Sequence, residues 1–206
     1  MRTFADRHLY LCVGLRIDMN EFLPAVLRGG VDIVQLREKN ADRKAIASGA
    51  REMLAICRDF DVPFILNDDP ELAGEVGADG VHVGQDDISV SDCRRLLGAE
   101  AIVGLSTHAT AEFEAALRED VTYRSAGPIV PTPTKAGRAG TGVAYALECH
   151  RRSSEPVFVT GGVSPATLPE LLDLGLRHFV VVRSLSESST PEVTAREMAS
   201  LIRRTN

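Results

Sequence analysis

Pro63-Phe64-Ile65-Leu66-Asn67-Asp68-Asp69-Pro70-Glu71-Leu72-Ala73-Gly74-Glu75-Val76-Gly77-Ala78-Asp79-Gly80-Val81-His82-Val83 holds a strand, a helix and a second strand in outline. The apolar runs Pro63–Leu66 and Gly80–Val83 have the length of buried strands. Between them, Pro70–Val76 carries a proline at its start and Gly77 just past its end, the usual asymmetry of a helix. A helix between two strands is the crossover that parallel pairing requires. The phrase Val76-Gly77-Ala78-Asp79-Gly80 has a counterpart in Gly29-Gly30-Val31-Asp32, again just before an apolar run. In both places a glycine ends a helix and a short loop leads into a strand.

Working outward, the same unit repeats along the chain. Strands are expected at His8–Val13, Asp32–Leu36, Pro63–Leu66, Gly80–Val83, Ala101–Leu105, Tyr123–Ala126, Val157–Thr160 and His178–Val182. Amphipathic helices are expected at Asn20–Arg28, Asp42–Asp59, Pro70–Val76, Ser89–Leu97, Thr110–Glu119, Val143–Arg152, Pro165–Leu174 and Pro191–Arg204. Ser164-Pro165 reads as a cap residue followed by proline at the first helical position. Eight alternating units suit an α/β fold of the (β/α)8 TIM-barrel type, with residues 1–206 as one domain. A doubly wound open sheet shares the alternation, and the count of eight favours the barrel.

Composition narrows the function. Lysines and arginines number 23 against 29 acidic residues, a net charge of −6, which lacks the basic footprint of a general nucleic-acid binder. No apolar span long enough for a membrane helix and no secretion leader is visible. Cys12, Cys57, Cys93 and Cys149 form no C-x-x-C pair, which fits ordinary thiols in a reducing cytoplasm.

Active sites of such barrels lie at the C-terminal ends of the strands. Polar residues collect there. Strand two leads into Gln35-Leu36-Arg37-Glu38-Lys39, strand three into Asn67-Asp68-Asp69, and strand four into His82-Val83-Gly84-Gln85-Asp86-Asp87. Asp68 and Asp86/Asp87 follow neighbouring strands, spaced about 4.8 Å, so their loops can reach one cation. A few carboxylates plus substrate phosphates suit Mg²⁺; capping of the next helices is the competing role. Arg37, Lys39 and Lys135 supply cations for phosphate on the same rim. Thr160-Gly161-Gly162-Val163 and Val182-Arg183-Ser184 follow strands seven and eight, the usual phosphate site of this fold. His82 and His108 read as structural or supporting residues, and Ser106 as a substrate hydrogen-bonding group rather than a nucleophile.

Taken together, three segments resemble the thiamine phosphate synthase family: Val34-Gln35-Leu36-Arg37-Glu38-Lys39, His82-Val83-Gly84-Gln85-Asp86-Asp87, and Gly127-Pro128 followed by Pro131-Thr132-Pro133-Thr134-Lys135. The resemblance runs from Leu9 to Arg183 and implies the same barrel. It implies condensation of 4-amino-2-methyl-5-hydroxymethylpyrimidine diphosphate with a thiazole phosphate, a carboxylated form included, releasing diphosphate. Gln35, Arg37, Lys39, Asn67, Ser106 and Lys135 then hold the pyrimidine diphosphate, with Lys135, Ser106 and Arg37 as the catalytic set. Asp68 and Asp87 ligate Mg²⁺. Thr132, Thr134, Gly162, Val182 and Arg183 receive the thiazole phosphate. Partners are small phosphorylated molecules, with no nucleic acid and no membrane; monomer and homodimer both stay open.

Three departures from the family pattern stand out. Asp69 occupies the place of a usual arginine, which puts a negative charge beside the expected metal. Thr122-Tyr123-Arg124-Ser125-Ala126 is more polar than the usual glycine-containing strand, and Val182-Arg183 replaces Val-Ser. A thiazole tautomerase-like isomerase and a non-catalytic phosphate-binding regulator on the same barrel are the alternatives.

Overall fold

The computed structural model describes residues 3–132 and 139–205. Among them the strands are β1 (Leu9–Val13), β2 (Ile33–Leu36), β3 (Phe64–Asn67), β4 (Gly80–Val83), β5 (Ile102–Thr107), β6 (Tyr123–Ala126), β7 (Val157–Val159) and β8 (Phe179–Val181). They pair in parallel in chain order, and β1 closes on β8, so the sheet is a closed barrel and not an open doubly wound sheet. The helices are α1 (Met19–Gly29), α2 (Arg43–Asp59), α3 (Pro70–Val76), α4 (Val90–Leu97), α5 (Thr110–Ala116), α6 (Val143–Arg152), α7 (Leu168–Asp173), α8 (Arg183–Ser186) and α9 (Pro191–Thr205). Eight helices match the expected ones, and α8 is an addition directly after β8. α7 starts later than expected. Ser164 instead caps a turn, its Oγ accepting from Thr167 N at 3.2 Å, and Thr167 is the residue that precedes the helix.

The recurring glycine phrases serve the opposite end of the barrel from the expected chemistry. Gly30 and Gly77 lie at φ 110° and 75°, the left-handed region that glycine enters without steric cost. Val31 N donates to Val26 O at 3.1 Å and Ala78 N to Ala73 O at 2.9 Å, which satisfies the carbonyls left at each helix end. The aspartate that follows then anchors a neighbouring strand. Asp32 accepts from His8 N at 3.0 Å and Leu9 N at 2.9 Å, and Asp79 accepts from Phe64 N at 2.7 Å. One short phrase thus ends a helix, turns the chain and fixes strand register.

Strand alternation divides the core in two. Outward residues such as Leu11, Val34, Leu66, Val81 and Val103 pack against the helices in the larger cluster. Inward residues Tyr10, Ile33, Ile65, Tyr123 and Phe158 fill the barrel. Phe4, in a single 3-10 turn (Phe4–Asp6), covers the N-terminal end of the barrel by stacking on Tyr123 with ring centroids 5.0 Å apart.

The polar β6 follows the same parity. Tyr123 and Ser125 point inward, and Arg124 points outward, with only 1% of its surface exposed. Its Nε and Nη2 donate to Ala116 O at 3.0 and 2.8 Å, its Nη1 donates to Ser153 Oγ at 3.0 Å, and it pairs with Glu155. Ala116 is the last residue of α5, so the guanidinium meets the negative end of that helix.

His178, beside Phe158 and His8 near the same end of the barrel, is buried. Burial first, then the neighbouring His8 and His150, push its imidazole down to about 3. An unfolded chain binds this proton near pH 6.5 and the native state does not, so stability present above that pH is lost as pH falls. Between pH 7.5 and 5, His178 alone should cost about 2 kcal/mol of unfolding free energy. Urea titrations of the wild type and His178→Gln at both pH values should show that part of the loss vanish in the variant; equal losses would contradict it.

Candidate active site

β2 and the residues after it display the inward positions Gln35, Arg37 and Lys39 at the two-residue period of an extended chain, and all three line one cavity. Glu38, between them, faces away: its carboxylate accepts from Leu15 N at 3.1 Å and Asn40 N at 2.9 Å, tying two loops together. The cavity has a volume of about 600 Å³ and opens at the C-terminal ends of the strands. That is the size of a small-molecule site. Asn67, Asp68, Asp87, Ser106, Thr132, Gly162, Val182 and Arg183 line it as well. Thr134 and Lys135 lie outside the described residues.

The two aspartates after β3 have separate tasks. Asp69 is the cap of α3, accepting from Leu72 N at 2.8 Å, and pairs with Arg43 at 3.4 Å. The carboxylate of Asp69 thus serves a helix end and an ion pair and does not line the cavity. Asp68 holds a left-handed φ of 66°, which costs a non-glycine residue about 1–2 kcal/mol and turns its carboxylate into the cavity. Asp87 is likewise free of the capping role weighed for it, because Ser89 caps α4 by accepting from Asp92 N. Asp87 Oδ2 instead accepts from Gly84 N at 2.7 Å and faces Asp68.

Burial pushes the Asp68 carboxyl up, the adjacent Asp87 carboxylate pushes the same way, and Lys39, 3.3 Å from Asp68, opposes both. Two carboxylates held together with one lysine form a locus that a divalent cation would relieve. Among the described residues no group of three or more His, Cys, Asp or Glu side chains could hold a metal. That donor set fits Mg²⁺ in a site completed by phosphate oxygens and water.

At the opposite wall, Gly161 and Gly162 (φ 87° and 78°) bring bare backbone to the cavity beside Val182 and Arg183. The additional helix α8 starts there, as in the phosphate sites common to this fold.

The cavity floor is a hydrogen-bonded chain that the sequence did not reveal. Cys12 Sγ–H donates to Gln35 Oε1 at 3.3 Å, and Gln35 Nε2–H donates to Tyr10 OH at 2.7 Å. The Tyr10 and Tyr123 hydroxyls lie 2.8 Å apart, Tyr123 OH is 2.9 Å from His82 Nδ1, and His82 Nε2 is 2.8 Å from Ser106 Oγ. Ser106 Oγ lies 3.2 Å from Ser125 Oγ. Burial pushes both tyrosine hydroxyls up, so they stay protonated. Gly104 makes the chain possible: a β-carbon there would sit 2.1 Å from Tyr123 Cζ and 2.5 Å from His82 Nδ1. His108 also lines the cavity, with its Nδ1 bonded to the Gly127 carbonyl.

Comparison with known proteins agrees with the geometry. Residues 9–185 match the family model described as thiamine monophosphate synthase. A thiamine-phosphate synthase of Mycobacterium sp. (strain KMS) is 40% identical over 95% of this chain and 92% of its own length. One from Streptomyces avermitilis is 39% identical over 97% of this chain and 95% of its own length. The thiamine phosphate pyrophosphorylase structure from Pyrococcus furiosus has the same fold, with a TM-score of 0.85 at 21% identity over 96% of each chain. With its barrel closed, its cationic and acidic loops gathered at one mouth, and relatives of this identity along nearly its whole length, the chain belongs to the thiamine monophosphate synthase family.

Proposed function

We propose that this cavity joins 4-amino-2-methyl-5-hydroxymethylpyrimidine diphosphate to a thiazole phosphate, giving thiamine phosphate and diphosphate, with carbon dioxide released as well when the thiazole is carboxylated. The convergence of Gln35, Arg37 and Lys39 with the facing carboxylates Asp68 and Asp87 supports this reading most directly. An isomerase or a phosphate-binding regulator has no use for paired carboxylates opposite a cationic strand end.

The pyrimidine sits over Gln35 and Ser106, with its diphosphate toward Arg37, Lys39, Asn67 and Lys135. The thiazole phosphate sits against Thr132, Thr134, Gly162, Val182 and Arg183. Asp68 and Asp87 hold Mg²⁺, which would neutralise charge gathering on the diphosphate. Breaking the methylene carbon–oxygen bond leaves positive charge on the pyrimidine methylene, and the thiazole nitrogen attacks that carbon. Arg37, Lys39 and Lys135 stabilise the leaving group electrostatically, and Ser106 orients the ring, so no side chain has to form a covalent bond. Four buried cysteines that form no disulfide support a reducing, cytoplasmic setting; among the described residues no helix is long and apolar enough to cross a membrane. Monomer and homodimer are told apart by sedimentation.

Purified protein mixed with both substrates and Mg²⁺ should form thiamine phosphate, lose that activity in excess chelator, and regain it when Mg²⁺ is restored. No product would reject the synthase reading, and full activity in chelator would reject the metal. In calorimetry, the pyrimidine diphosphate should bind in the presence of Mg²⁺, as it would to neither alternative.

A further inference from the structure

The floor chain has a direction, and its direction follows from one amide. Gln35 Oε1 accepts from Cys12, so Nε2 is the end that faces Tyr10 and donates to it. The arrangement that pairs every hydroxyl hydrogen then has Tyr10 donating to Tyr123 OH and Tyr123 donating to His82 Nδ1. A neutral imidazole that accepts at Nδ1 carries its hydrogen at Nε2. In that tautomer His82 donates to Ser106 Oγ, and Ser125 Oγ, 3.2 Å away, is within reach as an acceptor for the Ser106 hydrogen. With its hydrogen on Ser125, Ser106 keeps one lone pair open at the cavity floor.

We infer that His82 is a positioning residue which, in its Nε2–H form, presents Ser106 as an acceptor for the exocyclic amino group of the pyrimidine. The inference rests on the pyrimidine placement proposed above. An amino group has hydrogens to offer that lone pair, whereas a 4-oxo group in its place meets a second acceptor. Such a site rejects an analogue with the wrong polarity because its buried group would go unpaired. Ser125 completes the device. Without a hydroxyl at that position, the Ser106 proton would be free to turn toward the ligand.

Two conservative variants separate this role from simple packing. The amide nitrogen of His82→Gln reaches the Nε2 position and keeps a donor on Ser106. His82→Asn reaches only the Nδ1 position and loses it. Calorimetry with Mg²⁺ and the 4-amino pyrimidine diphosphate should show His82→Asn weakened about 10–100-fold and His82→Gln weakened clearly less, with thiazole phosphate binding unchanged in both. In a Ser106→Ala background, His82→Asn should cost almost nothing further, because its effect passes through Ser106. Tyr123→Phe, which keeps the ring, should narrow the preference for the 4-amino over the 4-oxo diphosphate even if the His82 variants fold poorly. Equal losses in His82→Gln and His82→Asn, full additivity with Ser106→Ala, or an unchanged preference in Tyr123→Phe would overturn the inference alone. A wild type that does not bind the 4-amino diphosphate would overturn the functional reading and this inference with it.

Discussion

Asp68→Asn should lower turnover about 10²–10³-fold while leaving the fold intact. The substitution removes one of the two carboxylates facing each other in the cavity and leaves Lys39 without its partner 3.3 Å away. Asparagine is one of the few residues that tolerates the left-handed backbone found here, at φ 66°, so strain does not confound the result. The loss should fall on turnover, because charge at the leaving group is greatest as the bond breaks. Steady-state kinetics with saturating Mg²⁺ and a far-ultraviolet dichroism spectrum test it. Turnover within a few-fold of wild type would remove Asp68 from the chemistry.

Arg124→Ala should destabilise the barrel by about 3 kcal/mol without touching the cavity. The guanidinium is buried and holds the last carbonyl of α5, the Ser153 hydroxyl and the Glu155 carboxylate. Removing it strands the carbonyl and leaves a void beneath the helices. Glu155 is about one-third exposed and recovers solvation, which keeps the figure at the low end for a broken buried pair. Adding Glu155→Gln to Arg124→Ala should therefore restore little. Urea unfolding reads the loss, and pyrimidine diphosphate affinity should stay at the wild-type value. A stability change below about 1 kcal/mol would show that the pair is replaceable.

Much of this was legible in the chain itself, because it depends on local rules. The glycine that ends a helix and the short apolar run located the strands, and the segment after strand two put Gln35, Arg37 and Lys39 on the rim. The polarity of Tyr123-Arg124-Ser125 was legible only as a departure; strand parity explains it once the structure shows Tyr123 and Ser125 inward and Arg124 outward. Two features could not be read that way. Asp68 and Asp69 are the same residue type side by side, and only the left-handed turn at Asp68 decides which enters the cavity and which caps α3. The floor chain joins residues from five strands, and no spacing within a sequence marks such a meeting.

The glycine–aspartate phrases that close helices and pin β1 and β3 lie at the end of the barrel away from the cavity mouth. The anchors of strand register and the candidate site thus occupy different halves of the same strands. Substitutions in the rim loops are therefore expected to act on the cavity more than on foldability. Conversely, a search for heat-tolerant forms can concentrate on the far half and leave catalytic rate where it was.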